Sequence, residues 1–489
     1  MKLDQSTFAA LPNTVARPGY DRAALTPGIV HIGVGNFHRA HQAVYMDDLF
    51  NMGLAHDWAI IGAGVRAGDA QMRETLAKQD YLNTVIEMEP GAHQARVIGA
   101  MIDFLPVEPN NASLIATMAR PEIRIVSLTV TEGGYFIDPA TGAFDPTHPD
   151  IAADAANPFA PSTAFGAIIA ALRLRRDAGI IPFTVMSCDN LPGNGHVTQD
   201  AVIGLARLID EALADWITAN VAFPNGMVDR ITPATGPIER ARVVDAFGIE
   251  DAAPVFCEPF RQWVLEDKFT AGRPPFERAG VTLTDQVEAY EMMKIRILNG
   301  GHAIIAYPGG LLDIEYVHEA MEHPLISAFL AKIETDEVIP IVPPVPGIKL
   351  SDYHALITER FANPDVGDTV RRLCLDGSNR QPKFIIPSLR DNLGEGVLPE
   401  GLLLLSAMWC RYCYGTTESG AEIAANDPNW TALQARAKEA KNRPSVWLEM
   451  EDIYGDLAQN EAVVSAFAAL LSDLWEEGTE AMITRHLGP

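Results

Sequence analysis

PGIVHIGVGNFHRAHQAVYMDDLF, residues 27–50, runs from a short apolar stretch through Gly33-x-Gly35 into a helical pattern. Ile29–Val34 has the length and β-branched content of a buried strand, and the glycines that end it supply a tight turn. Strand, turn and helix in that order open a dinucleotide-binding unit, in which backbone approaches a pyrophosphate and a helix N-terminus stabilises its charge. The third glycine of the usual fingerprint is replaced by His38, so Gly33, Gly35, Asn36 and Phe37 carry the reading as cofactor-binding candidates. Gly-x-Gly alone is also a common structural turn, and its place after the first strand favours the nucleotide.

Working outward, apolar runs recur at 58–65, 123–130, 181–186 and 263–265 with helical or loop material between them. Buried strands alternating with helices predict a parallel, doubly wound sheet. Amphipathic helices are expected over 161–177 and 200–218. From about residue 286 the texture becomes helical, at 286–307, 324–335, 396–413, 432–440 and 459–475. The expected organisation is therefore a Rossmann-type α/β domain over 1–285 and a mainly α-helical domain over 286–489. The Pro-rich VIPIVPPVPGI (338–348) is expected to be a non-helical connector.

Composition narrows the function. The chain has 489 residues with 37 Lys+Arg against 64 Asp+Glu, a formal net charge of -27. No basic run offsets this acidity, so neither nucleic acid nor an anionic membrane is an expected partner. The five scattered cysteines argue for reduced thiols, Cys410 and Cys413 being read as core residues, and a cytoplasmic location is the default expectation. The opening segment lacks an apolar signal-peptide run, and GLLLLSAMWC (401–410) is short enough to be a buried core helix.

An acidic residue that bonds the adenosine ribose is expected at the end of the second strand, and Asp69 is the nearest candidate. Arg66 beside it could instead pair with a 2′-phosphate, so these residues leave NAD and NADP open, with NAD preferred. His38 and His41 stand at i,i+3 on the expected first helix. They have no companion ligands at metal spacing, and no metal is expected.

Within QVEAYEMMKIRILNGGHAIIAY (286–307), Lys294, Asn299 and His302 fall at i, i+5 and i+8, placing all three on one side of a regular α-helix. A neutral lysine can act as general base, an asparagine amide can donate to a developing oxyanion, and a histidine can orient a hydroxyl. A solvated Lys, a capping Asn and a core His would give the same pattern.

Seven segments, in order along nearly the whole chain, then carry a resemblance: GVGNFHRAH (33–41), QDYLNTV (79–85), SLTVTEGGY (127–135), SCDNLPGNG (187–195), FPNGMVDRITP (223–233), KIRILNGGH (294–302) and RLCLDGSNRQPKF (372–384). The sequence resembles the polyol-specific long-chain dehydrogenases, the mannitol dehydrogenase family. That resemblance implies an extended Rossmann domain, a helical second domain and an active site in the cleft between them. It also implies metal-independent, NAD-linked interconversion of a sugar alcohol and its ketose, D-mannitol and D-fructose ahead of arabinitol or sorbitol.

By the same resemblance Lys294 is the general acid/base, Asn190 and Asn299 form an oxyanion hole, and His302 holds an adjoining hydroxyl. Thr129, Glu132 and Asp229 belong to the cofactor end, Arg372 to the substrate, and Glu132 and Glu291 to a proton relay. Two alternatives stay open. A hexuronate reductase acting on fructuronate or mannonate would use the cations Arg372, Arg380 and Lys383 for a substrate carboxylate. A non-catalytic nucleotide-binding sensor would have no need of a base. A lysine ordinarily titrates near 10.4, so service near neutrality requires burial and cationic neighbours, against an acidic overall field. Oligomeric state is not written in the sequence, and a monomer is compatible with it.

Overall fold

The computed structural model describes residues 1–138 and 141–488. The chain divides into two compact units, Met1–Glu288 and Ala289–Pro489.

The first unit is built on a five-stranded sheet whose spatial order is Met101–Phe104, Ala59–Ala63, Pro27–Ile32, Ile125–Leu128 and Thr184–Ser187, with every pairing parallel. Alternation of side chains explains why both faces are covered. Val30, Ile32, Val126 and Leu128 point into one core with Phe165, Ile168 and Leu205, whereas Ile29, Ile60 and Ile125 point into another with Val44 and Leu49. The expected doubly wound α/β architecture is therefore present. The first strand lies in the middle of the sheet, which puts the turn after it at the carboxyl edge where such folds bind ligands.

Several local expectations change. Gln262–Leu265 pairs antiparallel with Gly226–Asp229 in a separate three-stranded sheet rather than joining the parallel one. A hairpin of Asn83–Glu89 and Ala92–Ile98 turns at Pro90-Gly91, where Gly91 has φ +74°. That Pro-Gly pair was a legible turn signal. The span 200–218 is two helices, Asn194–Ile209 and Glu211–Asn220. The chain breaks at Asp210, which is extended (φ -160°, ψ 108°) and caps the second helix by accepting from the amides of Ala212 and Leu213. Helix Ala164–Ala178 matches its pattern, with Thr163 accepting from the Gly166 amide and Gly179 left-handed at its end.

The second unit is helical, and among its described residues the only β pairings are isolated bridges. Helix Glu400–Cys413 is buried from Gly401 through Cys413, as a core helix must be, and Cys410 and Cys413 lie within it as buried thiols. No helix among the described residues is long and apolar enough to cross a membrane. The Pro-rich connector is not wholly irregular. It begins in a π turn, Glu334–Val338, and a 3₁₀ turn, Ile339–Ile341, in which Pro340 sits near the start, where its missing N–H costs nothing.

Candidate active site

The turn after the first strand is fixed by backbone geometry. Gly33 has φ +98°, and a Cβ there would stand 2.1 Å from the carbonyl oxygen of Thr129, so no other residue fits without moving the next strand. The Gly35 amide closes onto the Gly33 carbonyl at 2.8 Å, while Gly35 itself is exposed, with open space where a Cβ would be. Thr129 donates its hydroxyl to Gly33 O at 2.5 Å, and the His31 ring contacts Thr129 Oγ1 and Ser127 Oγ at 2.8 Å each. Thr129 thus acts from the neighbouring strand as a brace for the turn. The amide of Asn36 donates to the Pro233 carbonyl at 3.2 Å and its Oδ1 accepts from Arg39, tying the turn to the 233–235 loop.

The structure explains the missing third glycine. That position normally allows close helix–strand packing. Here the ring of His38 lies flat on that of His31 in the strand, 3.5 Å apart and 14° from parallel, so two imidazoles fill the layer a glycine would close. His38 and His41 are not on one helix. The first helix, Asn36–Ala40, ends before His41 (φ -120°, ψ -91°), and a second, Gln42–Asn51, follows. His41 contacts the Gln262 carbonyl at 2.9 Å and stacks on Phe37. Burial pushes the imidazoles of His31 and His41 down to about 3 and that of His38 well below its usual range.

Asp69 follows the second strand, where the acidic residue was sought. One carboxylate oxygen accepts from the amides of Val65 and Arg66, both at 2.9 Å, which caps helix Ala67–Ala77. Arg66 reaches the Val130 carbonyl at 3.1 Å. Asp229 is buried at the end of its strand, Asn190 is exposed in the loop after its strand, and Glu132 is exposed at the start of a 3₁₀ turn, Glu132–Tyr135. One residue that sequence reasoning passed over organises this edge. Asp189 accepts from the amides of Val130 and Thr131 and from the Tyr135 hydroxyl, at 2.9, 3.0 and 2.7 Å. It thereby ties the TVTEGGY loop to SCDN, and burial raises its carboxyl above the usual range. An acid directly beside the predicted Asn190 was the available signal.

In the second unit Lys294–Asn299 is a π-helix between helices Val287–Met293 and Gly300–Leu311. The expectation of a uniform α-helix is corrected accordingly. The Gly300 amide reaches back five residues to the Ile295 carbonyl, so i,i+5 becomes about one turn and brings Asn299 into line with Lys294. Lys294 is buried, 7% exposed, as is Glu291 one turn before it. Arg296 on the same turn is held away by Ser388 and Asp391, both at 2.8 Å.

His302 is half-buried and stacks on Phe361 with ring centroids 4.4 Å apart. Desolvation, and then Arg372, Arg360 and Arg380, push its imidazole down to about 3, with Asp368 opposing, so it is neutral at physiological pH. Arg372 is bound by both oxygens of Asp368 through its Nε, at 2.5 Å, and Nη2. Arg380 donates to the Leu373 carbonyl at 3.1 Å and Lys383 is exposed. The second unit therefore brings Lys294, Asn299, Glu291 and His302 onto one irregular helix. It gives Arg372 an internal partner rather than a bare guanidinium.

A doubly wound parallel sheet with a glycine turn after its central strand, followed by a helical unit carrying a buried lysine, defines a two-domain dehydrogenase of the Rossmann type. The Rossmann domain of mannitol dehydrogenases matches residues 27–278 and the mannitol dehydrogenase C-terminal domain matches 286–475. The chain belongs to the mannitol dehydrogenase family. It is 67% identical to a mannitol 2-dehydrogenase of Cereibacter sphaeroides, over 98% of this chain and 100% of that one. Among solved structures, a Pseudomonas fluorescens mannitol 2-dehydrogenase in ternary complex with NAD and D-mannitol matches with TM-score 0.88 and 44% identity, over 100% of both chains. A D-sorbitol dehydrogenase in substrate-free form matches with TM-score 0.92 and 36% identity, over 99% of this chain and 100% of that one.

Proposed function

We propose that the protein oxidises the C2 hydroxyl of D-mannitol to give D-fructose, and catalyses the reverse reduction, with NAD as the redox partner. The observation that carries this reading is the π turn, where a buried lysine, an asparagine one turn on and a neutral histidine share one helix. The full-length likeness to mannitol 2-dehydrogenases supports the same substrate.

The residues of the first turn fit a dinucleotide. Gly35 leaves its outer face open, and the Asp69 carboxylate beyond the second strand favours ribose hydroxyls over a 2′-phosphate. Gly33, Gly35, Asn36 and Phe37 would hold the pyrophosphate end, and Thr129, Glu132 and Asp229 belong to the remainder of the cofactor site. The nicotinamide, when bound, supplies the hydride acceptor.

The rest of the chemistry falls to side chains. Lys294 Nζ takes the proton of the reacting hydroxyl as its carbon gives up hydride, so alcohol becomes ketone with atoms and charge balanced. The step requires the neutral amine. The Asn299 amide donates to the oxygen as negative charge grows, and Asn190 is a second amide donor on the strength of the resemblance. Neutral His302 holds the adjoining hydroxyl. Glu291, one turn before Lys294, passes the proton onward, and Glu132 is the second relay candidate.

The hexuronate alternative receives less support, because Arg372 already has a carboxylate partner in Asp368. Initial rates with mannitol, arabinitol, sorbitol and mannonate, each with NAD and with NADP, test the proposal. Mannitol with NAD should be fastest, and faster turnover of mannonate would overturn it.

A further inference from the structure

Behind the helix that carries His302 lies a buried acid that the reaction does not use. Glu334 opens the π turn Glu334–Val338 and has no exposed surface. Its Oε2 meets His354 Nδ1 at 2.5 Å, while its Oε1 has no hydrogen-bond partner. That orphan oxygen is aimed at the backbone of Gly301, standing 2.6 Å from where a Cβ would be. A side chain at the position next to His302 would therefore meet the acid's carboxylate and force it to shift.

His354 and Phe361 lie seven residues apart on helix Leu350–Phe361, hence on one face. Phe361 is the ring on which His302 stacks, and its Cε2 stands 3.3 Å from the same Gly301 Cβ position. One end of helix Leu350–Phe361 is thus bonded to Glu334 and the other carries the surface that fixes the imidazole. Leaving a buried carboxylate oxygen unpaired costs stability, so packing for fold alone would favour an apolar residue here.

We propose that Glu334 and His354 are positioning residues that set the orientation of His302 toward the substrate, acting through Phe361 and the close approach at Gly301. This rests on the reading of His302 as a substrate-hydroxyl contact and deepens it. The acid seats helix Leu350–Phe361 at the depth where Phe361 meets the imidazole, and Gly301 is the space that depth requires. Burial raises the Glu334 carboxyl to about 7, and the bond to Glu334 raises the His354 imidazole, both in keeping with a proton held inside the pair.

The test is steady-state kinetics on Glu334→Ala, Glu334→Gln, His354→Gln, Gly301→Ala and His302→Ala, with the doubles Glu334→Ala/His302→Ala and Glu334→Ala/Gly301→Ala. Glu334→Ala should raise KM for the polyol about tenfold and leave KM for NAD unchanged, since misplacing a positioning group is felt at the substrate. Glu334→Gln keeps an acceptor for His354 and should stay within about twofold of wild type. Adding Glu334→Ala to His302→Ala should change KM no further, and Gly301→Ala should do less harm when Glu334 is already alanine.

A polyol KM in Glu334→Ala equal to wild type overturns the proposal, as does a full additional effect in the His302→Ala background. If Glu334→Ala does not fold, His354→Gln gives the same reading against the same limits. Failure of the underlying reading is separately visible, because His302→Ala alone would then leave the polyol KM unchanged.

Discussion

The two turns to which the proposed chemistry is assigned are built on opposite plans. In the first unit the turn Gly33–Phe37 is specified by backbone. Gly33 is the residue that the strand spacing allows, and Thr129, His31 and Arg39 direct their polar atoms at main-chain carbonyls of the turn. In the second unit the turn Lys294–Asn299 is continuous helix whose register slips from four residues to five, and its specification lies in side chains and in what packs behind them. A site that binds a constant group can be made of main chain, which is the same whatever the neighbouring residues. A site that must move a proton needs a particular side chain in a particular dielectric, and burial supplies that.

Four experiments test that contrast, beginning with the one of greatest expected effect. Lys294→Ala should lower kcat by on the order of 10³-fold while NAD still binds with near-wild-type affinity, checked by rapid mixing and nucleotide fluorescence. Near-normal turnover with an unchanged pH profile would remove the lysine from its role. Gly33→Ala should do the reverse, weakening NAD binding and costing on the order of 1–3 kcal/mol in unfolding free energy from backbone strain alone. Equal NAD affinity in that variant would show that the turn has another purpose.

The third experiment uses pH. The imidazoles of His31 and His41 titrate near 3 when folded and near 6.5 when unfolded, so the unfolded chain binds more protons between those values. Their contribution to stability is complete above about pH 6.5 and is lost as pH falls toward 3. Denaturant midpoints between pH 7 and 5 should fall, and His41→Phe should flatten the slope. A slope unchanged in that variant would mean His41 protonates without cost. The smallest effect is expected for Asp69→Ala, which removes a helix cap worth about 1 kcal/mol and should narrow the preference for NAD over NADP. An unaltered cofactor ratio would move the ribose contact elsewhere.

How much of this could be read beforehand differs between the same two regions. The strand, glycine turn and helix of 27–50 were legible because β-branched runs and Gly-x-Gly are local signals. The i,i+3 spacing of His38 and His41 suggests one helix, and nothing in it reveals the break at His41 or the stacking of His38 on His31 at 3.5 Å. Lys294, Asn299 and His302 were legible as a group, yet their α-helical angles were not, because a π turn has no periodicity of its own in sequence. Asp210 was readable in principle as a cap, and Pro90-Gly91 as a turn. Asp189 offered only its place beside Asn190 as a signal and Glu334 none, since an acid becomes a buried scaffold only through partners 50 and more, or 20, positions away.

The two-unit plan, the parallel sheet and the family were already set by the amino-acid sequence, because these follow from local pattern and residue type. Folding in three dimensions settled that His302 is neutral, that Thr129 braces the first turn and that Gly301 faces an acid. Those are statements about desolvation and distance. Both depend on segments far apart in the chain being brought within a few ångströms of one another, which no stretch of sequence records.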